Sequence, residues 1–388
     1  MKYVLLLIIF LMIIAVYLFF IGKCRNLIIT ILCSVLIIGI IISPQNCINA
    51  SIKGAELFFY KVFPSVFPFV VISNLIICFG GINIYSKLLG RILCSPIKIP
   101  KQCTFVIIVS ALCGYPLGAK YTCDLYEKKL IDKNTAERLI NIASNAGPLF
   151  IIGSIGTSIL GNTYLGYLLI TANYLSCFIM GIILKPQKTK CNCEIFYNKN
   201  YNESVNIGSA IKESVENSIK TCFSIAGFII LFSVINAIIV NNKAFISCIN
   251  ALAIIFHTDK RIIKCFILGV IEMTNGCNCA SMLNADIIYK IGLISFFLGF
   301  SGFSIISQVY SFTSKINLSI KKYIKRKFLQ GIINSALSIL LYLLSSINAD
   351  SISTFNNNNE KFANPLILVF LCILFIIPFL FSKTKDIT

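Results

Sequence analysis

The stretch that decides the fold reads Thr104-Phe-Val-Ile-Ile-Val-Ser-Ala-Leu-Cys-Gly-Tyr-Pro-Leu-Gly-Ala-Lys120. Its apolar part, Thr104–Leu112, is about half of the ~20 residues a helix needs to cross the hydrocarbon core of a bilayer. The run then meets Gly114, Pro116 and Gly118, two glycines and a proline that must break a helix. Irregular backbone at membrane depth is tolerated only against protein or a water-filled cavity, so a half-length helix ending in such a break marks an interior site.

The rest of the chain fits a membrane setting. Of its 388 residues 57% are hydrophobic and only 13% charged, with a mean hydropathy of +0.86. A soluble domain carries about 25% charged residues. The composition excludes a water-soluble enzyme with one core, and it excludes disorder. An all-α polytopic membrane protein is the class that fits. The net charge of +19 reads as cytoplasmic loops on anionic lipid. No helix-turn-helix, zinc-finger or RNP pattern accompanies it, so nucleic acid is not an expected partner. The 17 cysteines do not suggest a disulfide scaffold. Cys33, Cys78, Cys113, Cys177, Cys222 and Cys372 lie in or beside apolar runs, where cysteine packs as a small residue. Cys191/Cys193 and Cys277/Cys279 are C-x-C pairs, unlike the C-x-x-C pairs of a zinc ribbon. With one histidine, His257, a multi-histidine metal site is impossible, and no metal or cofactor is expected.

Outward from the break, Tyr3–Ile21 and Leu27–Ile42 read as retained spans, the former long for a signal-peptide h-region and lacking an A-x-A site. Val62–Phe79 is a third span, containing Pro64 and Pro68. After the break, Thr122–Ile142 reads as one charged helix that cannot lie in lipid. Ser144-Asn145-Ala146-Gly147-Pro148 is a helix-start signature, and Tyr164–Leu184 is a full span. After the polar linker Lys185–Ile207, Ser209–Lys220 reads as amphipathic and Thr221–Val240 as apolar. Two shorter runs, Cys248–Phe256 and Ile262–Ile271, lead to a glycine-bearing interruption over Glu272–Cys279. Ile291–Phe312 is apolar, Lys315–Lys327 is a basic run, and Phe328–Ser345 and Pro365–Ser382 are spans separated by the Asn-rich loop at Asn356–Asn359.

The chain contains a repeat. Lys61-Val-Phe-Pro-Ser-Val-Phe-Pro-Phe69 aligns with Lys220-Thr-Cys-Phe-Ser-Ile-Ala-Gly-Phe228, an offset of 159 residues. The interruption at Gly118 meets that at Gly276 or Cys277, and Asn145-Ala-Gly147 meets Phe300-Ser-Gly302. Corresponding interruptions in two halves are a pointer to a transporter binding site. The division expected is 1–50, a pair of spans; 51–184, the first repeat; 185–208, a linker; 209–327, the second repeat; and 328–388, a second pair of spans with a short tail. Placing Lys23/Arg25, Lys87–Lys101, Lys120–Arg138, Lys185–Lys220, Lys315–Lys327 and Lys383/Lys385 in the cytoplasm gives a consistent trace in which the two repeats are inverted. It leaves Lys243, Lys260, Arg261 and Lys264 outside.

Several residues could hold a ligand. Asn145, Gly147 and Pro148 would set a helix N-terminus at or just inside the membrane, where free N–H groups suit an anion; a packed helix start accounts for them equally well. Gly114, Tyr115, Pro116 and Gly118 offer a hydroxyl and a ring, and Lys120 a cation, although a snorkelling lysine explains Lys120 at least as well. Glu272 closes an apolar run, where a carboxylate carries a coupling proton or is wetted by the interface. Asn275, Gly276, Ser301 and Gly302 complete the set in the second half. Cys277/Cys279 are a weak signal for a soft metal. There is no P-loop, G-x-S-x-G, H-E-x-x-H or paired-carboxylate motif, so no enzymatic function is expected.

Gly114-Tyr-Pro-Leu-Gly-Ala-Lys120, Ala136-Glu137-Arg138-Leu139 and Asn145-Ala-Gly-Pro-Leu-Phe-Ile-Ile-Gly153 resemble the YlbJ-type sporulation integral membrane proteins of endospore-forming bacteria. More loosely, each half resembles the nucleoside-recognition gate domain of nucleoside and ferrous-iron transporters. The resemblance covers residues 50–345 and its motifs are specific in the first half. It implies two gate-like repeats and a role in moving dipicolinate, a small planar organic anion, from mother cell to forespore across the outer forespore membrane. A nucleoside-like solute carrier and a non-transporting scaffold of the spore envelope are the alternatives. Besides the lipid bilayer, a homo-oligomer or other spore-membrane proteins are the partners the sequence leaves open.

Overall fold

Every regular element among the described residues is helical, as a chain this apolar requires if its backbone groups are to be satisfied away from water. The computed structural model describes residues 25–186, 206–240, 242–316 and 318–345. The span expected over Tyr3–Ile21, Cys191 and Cys193 of the linker, and the span expected over Pro365–Ser382 lie outside them.

Helix α1, Arg25–Ile42, meets α2, Pro44–Leu57, at a bend of 104°, with Pro44 in the first turn of α2. A π turn at Phe58–Val62 leads into α3, Phe63–Cys78, which tolerates Pro68 inside it. Gly80, at φ +73°, turns the chain through 98° into α4, Gly81–Cys94. The apolar half-helix is α5, Thr104–Cys113, as expected. It stops at Gly114, whose φ of +78° and ψ of −171° belong to glycine almost alone.

The single charged helix expected over Thr122–Ile142 is two helices, α6, Leu117–Glu127, and α7, Lys133–Ile142. Lys129 between them has φ +56°, and Asp132 starts α7 by accepting a hydrogen bond from the Asn134 N–H at 3.1 Å. The charge pattern carries on through this turn, which hid the break. After the Ala143–Pro148 segment comes a π-helical element, Leu149–Ile159, numbered α8 with the others, and then α9, Thr163–Ile183, capped by the Asn162 side chain.

In the second half, the expected amphipathic and apolar segments are one helix, α10, Ile207–Val240, of 34 residues. At 1.5 Å per residue it is about 51 Å long, well beyond the hydrocarbon core, so its polar start projects and carries an exposed Lys212–Glu216 pair at 4.0 Å. Then follow α11, Lys243–Ile255, and α12, Lys260–Ile271, with Asp259 accepting from Arg261 at the start of α12. The break expected near Gly276–Cys279 lies instead at Glu272, whose extended backbone separates α12 from α13, Met273–Ser281. Gly276 does not break the chain; a Cβ there would lie 2.1 Å from Gly269 Cα, so it lets α13 pack closely on α12. The apolar run read over Ile291–Phe312 is α14, Ile287–Phe300, and α15, Gly302–Thr313, divided at Ser301 and Gly302 with φ of +71° and +72°. Most of the basic run at Lys315–Lys327 is the start of α16, Ile320–Leu344, which continues across the boundary drawn at 327/328.

Seven numbered helices, α3–α9, are followed by seven more, α10–α16, among the described residues. Taken in that order, two packing pairs correspond: α6 lies on α15 as α13 lies on α8, and α7 lies on α16 as α14 lies on α9, while the close α8–α9 packing has no counterpart of like extent between α15 and α16. By length and composition, α9, α10, α14 with α15, and α16 can each cross a membrane, and the two bent pairs raise the count of spans to as many as six.

Candidate functional site

The two breaks meet. Tyr115, just after α5, donates its O–H to Met273 Sδ, just after α12, at 2.6 Å. Beside this contact lies a cavity of about 480 Å³, within the range of small-molecule sites. Its floor is apolar, from α3 and α10 through Val66, Phe69, Ile225 and Ile229. Its polar groups come from the breaks and from α15.

One wall is the segment Ala146–Phe150. Gly114 makes this approach possible, since a Cβ on it would lie 2.4 Å from Gly147 N. Asn145 O accepts from the Tyr115 N–H at 2.7 Å, and Asn145 Oδ1 accepts from the Ser110 hydroxyl at 2.5 Å. Ser144 O accepts from Lys327 Nζ at 2.9 Å, and Ser144 Oγ lies 2.8 Å from Tyr323 Oη. The segment is thus fastened on both sides, and it delivers Pro148 and the start of α8 to the cavity. Side chains leave that helix start uncapped, and a helix start, the positive end of the backbone dipole, favours negative charge.

Across from it, Glu272 is 7% exposed and caps α13: its two carboxylate oxygens accept from the Thr274 N–H at 3.0 Å and the Asn275 N–H at 2.7 Å. It is the one charged residue among the described residues of the cavity wall. On α15, Ser304 and Gln308 enter the wall, and neither side chain makes a hydrogen bond among the described residues.

Of the residues expected in a site, Tyr115, Gly147, Pro148 and Glu272 line this cavity. Asn145 stands one residue behind the wall with its amide Nδ2 unpaired. Gly114, Pro116 and Gly118 shape the break rather than the cavity; a Cβ on Gly118 would strike Ala143 O at 1.8 Å. Lys120 points elsewhere, donating to Thr221 Oγ1 on α10 at 3.0 Å and lying 5.3 Å from the Tyr121 ring. Asn275 offers its N–H to Glu272 and is exposed off the cavity. Gly276, Ser301 and Gly302 serve close packing and the turn into α15. Cys277 and Cys279 belong to no metal-binding group of three or more ligands among the described residues. The basic cluster that the topological trace left outside includes Arg261, which forks onto Asp259 at 2.8 and 3.0 Å and holds that carboxyl below its usual range.

Sequence reading missed Ser304, Gln308 and Lys327. The first two carried a weak signal, polar residues four apart in a helix that also holds Ser307 and Ser311. Lys327 had none, since it closes a run of basic residues and is fully buried while Lys322 is exposed.

No family model matches the chain, and no solved structure matches it. The chain is similar to the sporulation integral membrane protein YlbJ of Bacillus subtilis, 29% identical over 377 residues that span 88% of this chain and 92% of that protein. A likeness of that extent supports a YlbJ-type protein, as the motifs around Gly114 and Asn145 do.

Proposed function

We propose that this chain is a transporter of a small planar organic anion, dipicolinate foremost, acting in sporulation at the outer forespore membrane and moving its solute from mother cell to forespore. The observation that carries the reading is the uncapped start of α8 in the wall of a cavity built where two broken helices meet. Helix N-termini that end in such a cavity are suited to carboxylates, and the apolar floor suits a flat ring. The two halves act as inverted gate-like repeats, a reading favoured by the seven numbered helices in each half and the two corresponding packing pairs. Alternating access would then move one half against the other around a fixed site.

The cavity brings a carboxylate and no cation to the solute among its described residues. An entering dianion meets Glu272, so a proton accompanies the solute, and Glu272 is where it rides. The same absence of a lysine or arginine favours a second reading, a carrier of neutral nucleoside-like solutes. Uptake into proteoliposomes separates them. Labelled dipicolinate should enter, and excess uridine or adenosine should leave that uptake unchanged. Uptake of nucleosides without dipicolinate establishes the second reading, and uptake of neither refutes both and leaves a scaffold role.

A further inference from the structure

Ser304 and Gln308 stand four residues apart, and therefore on one face of α15. Ser304 is 2% exposed and Gln308 4% exposed, yet both line the cavity. Neither side chain has a hydrogen-bond partner among the described residues. Buried amides and hydroxyls are paired as a rule, and one left open beside a cavity needs a partner from within that cavity. The placement is fixed rather than incidental. The left-handed pair Ser301 and Gly302 starts α15 against the α12–α13 junction, where a Cβ on Gly302 would lie 3.1 Å from Met273 N. From there the helix carries its polar face to the cavity that also holds the start of α8. One end of the site therefore favours negative charge, and α15 offers a neutral donor-and-acceptor edge.

Resting on the transport reading above, we propose that Ser304 and Gln308 form a recognition edge for an uncharged ring heteroatom, so that the site selects planar heteroaromatic acids over carbocyclic acids of the same outline. The Gln308 amide N–H and the Ser304 hydroxyl donate to a ring nitrogen lone pair while the solute's carboxylate lies toward α8. A site built to hydrogen-bond a polar atom rejects the analogue that lacks it, because the protein groups are left unpaired.

The test compares pyridine-2,6-dicarboxylate with benzene-1,3-dicarboxylate, which lacks the ring nitrogen, by half-saturation of uptake in proteoliposomes. Wild type should favour the pyridine compound by roughly tenfold or more, the worth of one well-made hydrogen bond. Gln308→Met, close in shape, should reduce the ratio to within about threefold by weakening the pyridine compound alone. Ser304→Ala, a smaller change that keeps the helix, should reduce it part of the way, and monodisperse reconstituted protein establishes that each variant is folded. Wild type that takes up both compounds equally, or variants that keep the wild-type ratio, overturn the recognition edge and leave transport standing. Wild type that takes up neither compound overturns the transport reading, and the recognition edge with it.

Discussion

Gly114→Ala tests the contact on which the site is built. Gly114 occupies a backbone region that side chains avoid, at a cost of about 1–3 kcal/mol. The added Cβ would lie 2.4 Å from Gly147 N, where ordinary contact begins at 3.4 Å, so the 144–148 segment must retreat by about 1 Å. It has nowhere to go freely. Asn145 O is held by Tyr115 N at 2.7 Å and Ser144 O by Lys327 at 2.9 Å, and retreat breaks or stretches one of them at about 1 kcal/mol or more. The total is about 3 kcal/mol, with the cavity wall displaced by an amount that can cost up to ~10²-fold in a positioned site. The control is Gly161→Ala. Gly161 also has a positive φ, +66°, but nothing lies within 4 Å of its Cβ position, so it should lose only ~1 kcal/mol of backbone strain. Thermal midpoints in detergent and dipicolinate uptake should both separate the two variants widely. Equal effects would refute the argument that the Gly114–Gly147 contact holds the wall.

Gly153→Leu places a side chain where only Leu149 Cδ1, at 3.9 Å, is near, on a residue that lines the cavity; it should insert and fold normally yet block uptake, and unchanged uptake would remove the cavity from the route. Gly147→Leu should block uptake too, with a lower thermal midpoint, because its Cβ meets Cys113 O at 3.0 Å. Arg138→Ala leaves the carbonyls of Ile97, Lys98, Gly181 and Leu184 without the guanidinium that now donates to each at 2.6–3.3 Å; a loss of about 3 kcal/mol should appear as a lowered midpoint, and Arg138→Lys should recover only part of it. Glu272→Gln keeps one cap acceptor and should flatten the pH dependence of uptake, since the amide mimics the protonated acid; a variant that retains the wild-type pH profile excludes Glu272 as the proton carrier.

Much of the fold was legible because breaks and apolar length are local properties. The half-helix Thr104–Cys113 and the span Thr163–Ile183 could be read from their own residues. What failed was the reading of glycine and charge without neighbours. Gly276 looked like Gly114, but one sits in a helix where a second backbone comes close and the other in a left-handed turn. Thr122–Ile142 looked continuous because its break uses Lys129 at positive φ, with no glycine or proline to mark it. In the site, motif reading found the walls, Tyr115, Gly147, Pro148 and Glu272, because they sit at breaks. It missed Ser304 and Gln308 because a polar residue inside a helix is visible only once its face is known, and it chose Lys120 because a cation near a break is attractive until Thr221 is seen to hold it.

Lys327 shows why position in a basic run says little about role. Its neighbours in sequence serve the surface: Lys322 reaches Glu137 at 3.1 Å and Arg326 reaches the Glu137 carbonyl at 2.9 Å. Lys327 is fully buried, and its partners are the Ser144 carbonyl and Gln330 Oε1, each at 2.9 Å, with no carboxylate within ion-pair distance among the described residues. Burying an ammonium is costly unless its N–H groups are well used, and here one is spent on the segment behind the cavity wall and one on Gln330 of its own helix. Gln330 adds to the fastening by donating to Cys177 Sγ at 3.1 Å and leaning on Ser144 O at 3.5 Å. The cation therefore bears on the cavity at one remove, through the segment it fastens. It fastens the Ser144 carbonyl, while Pro148 and Leu149 at the start of α8 line the cavity, and a helix start suits an anion without a cationic side chain in the wall.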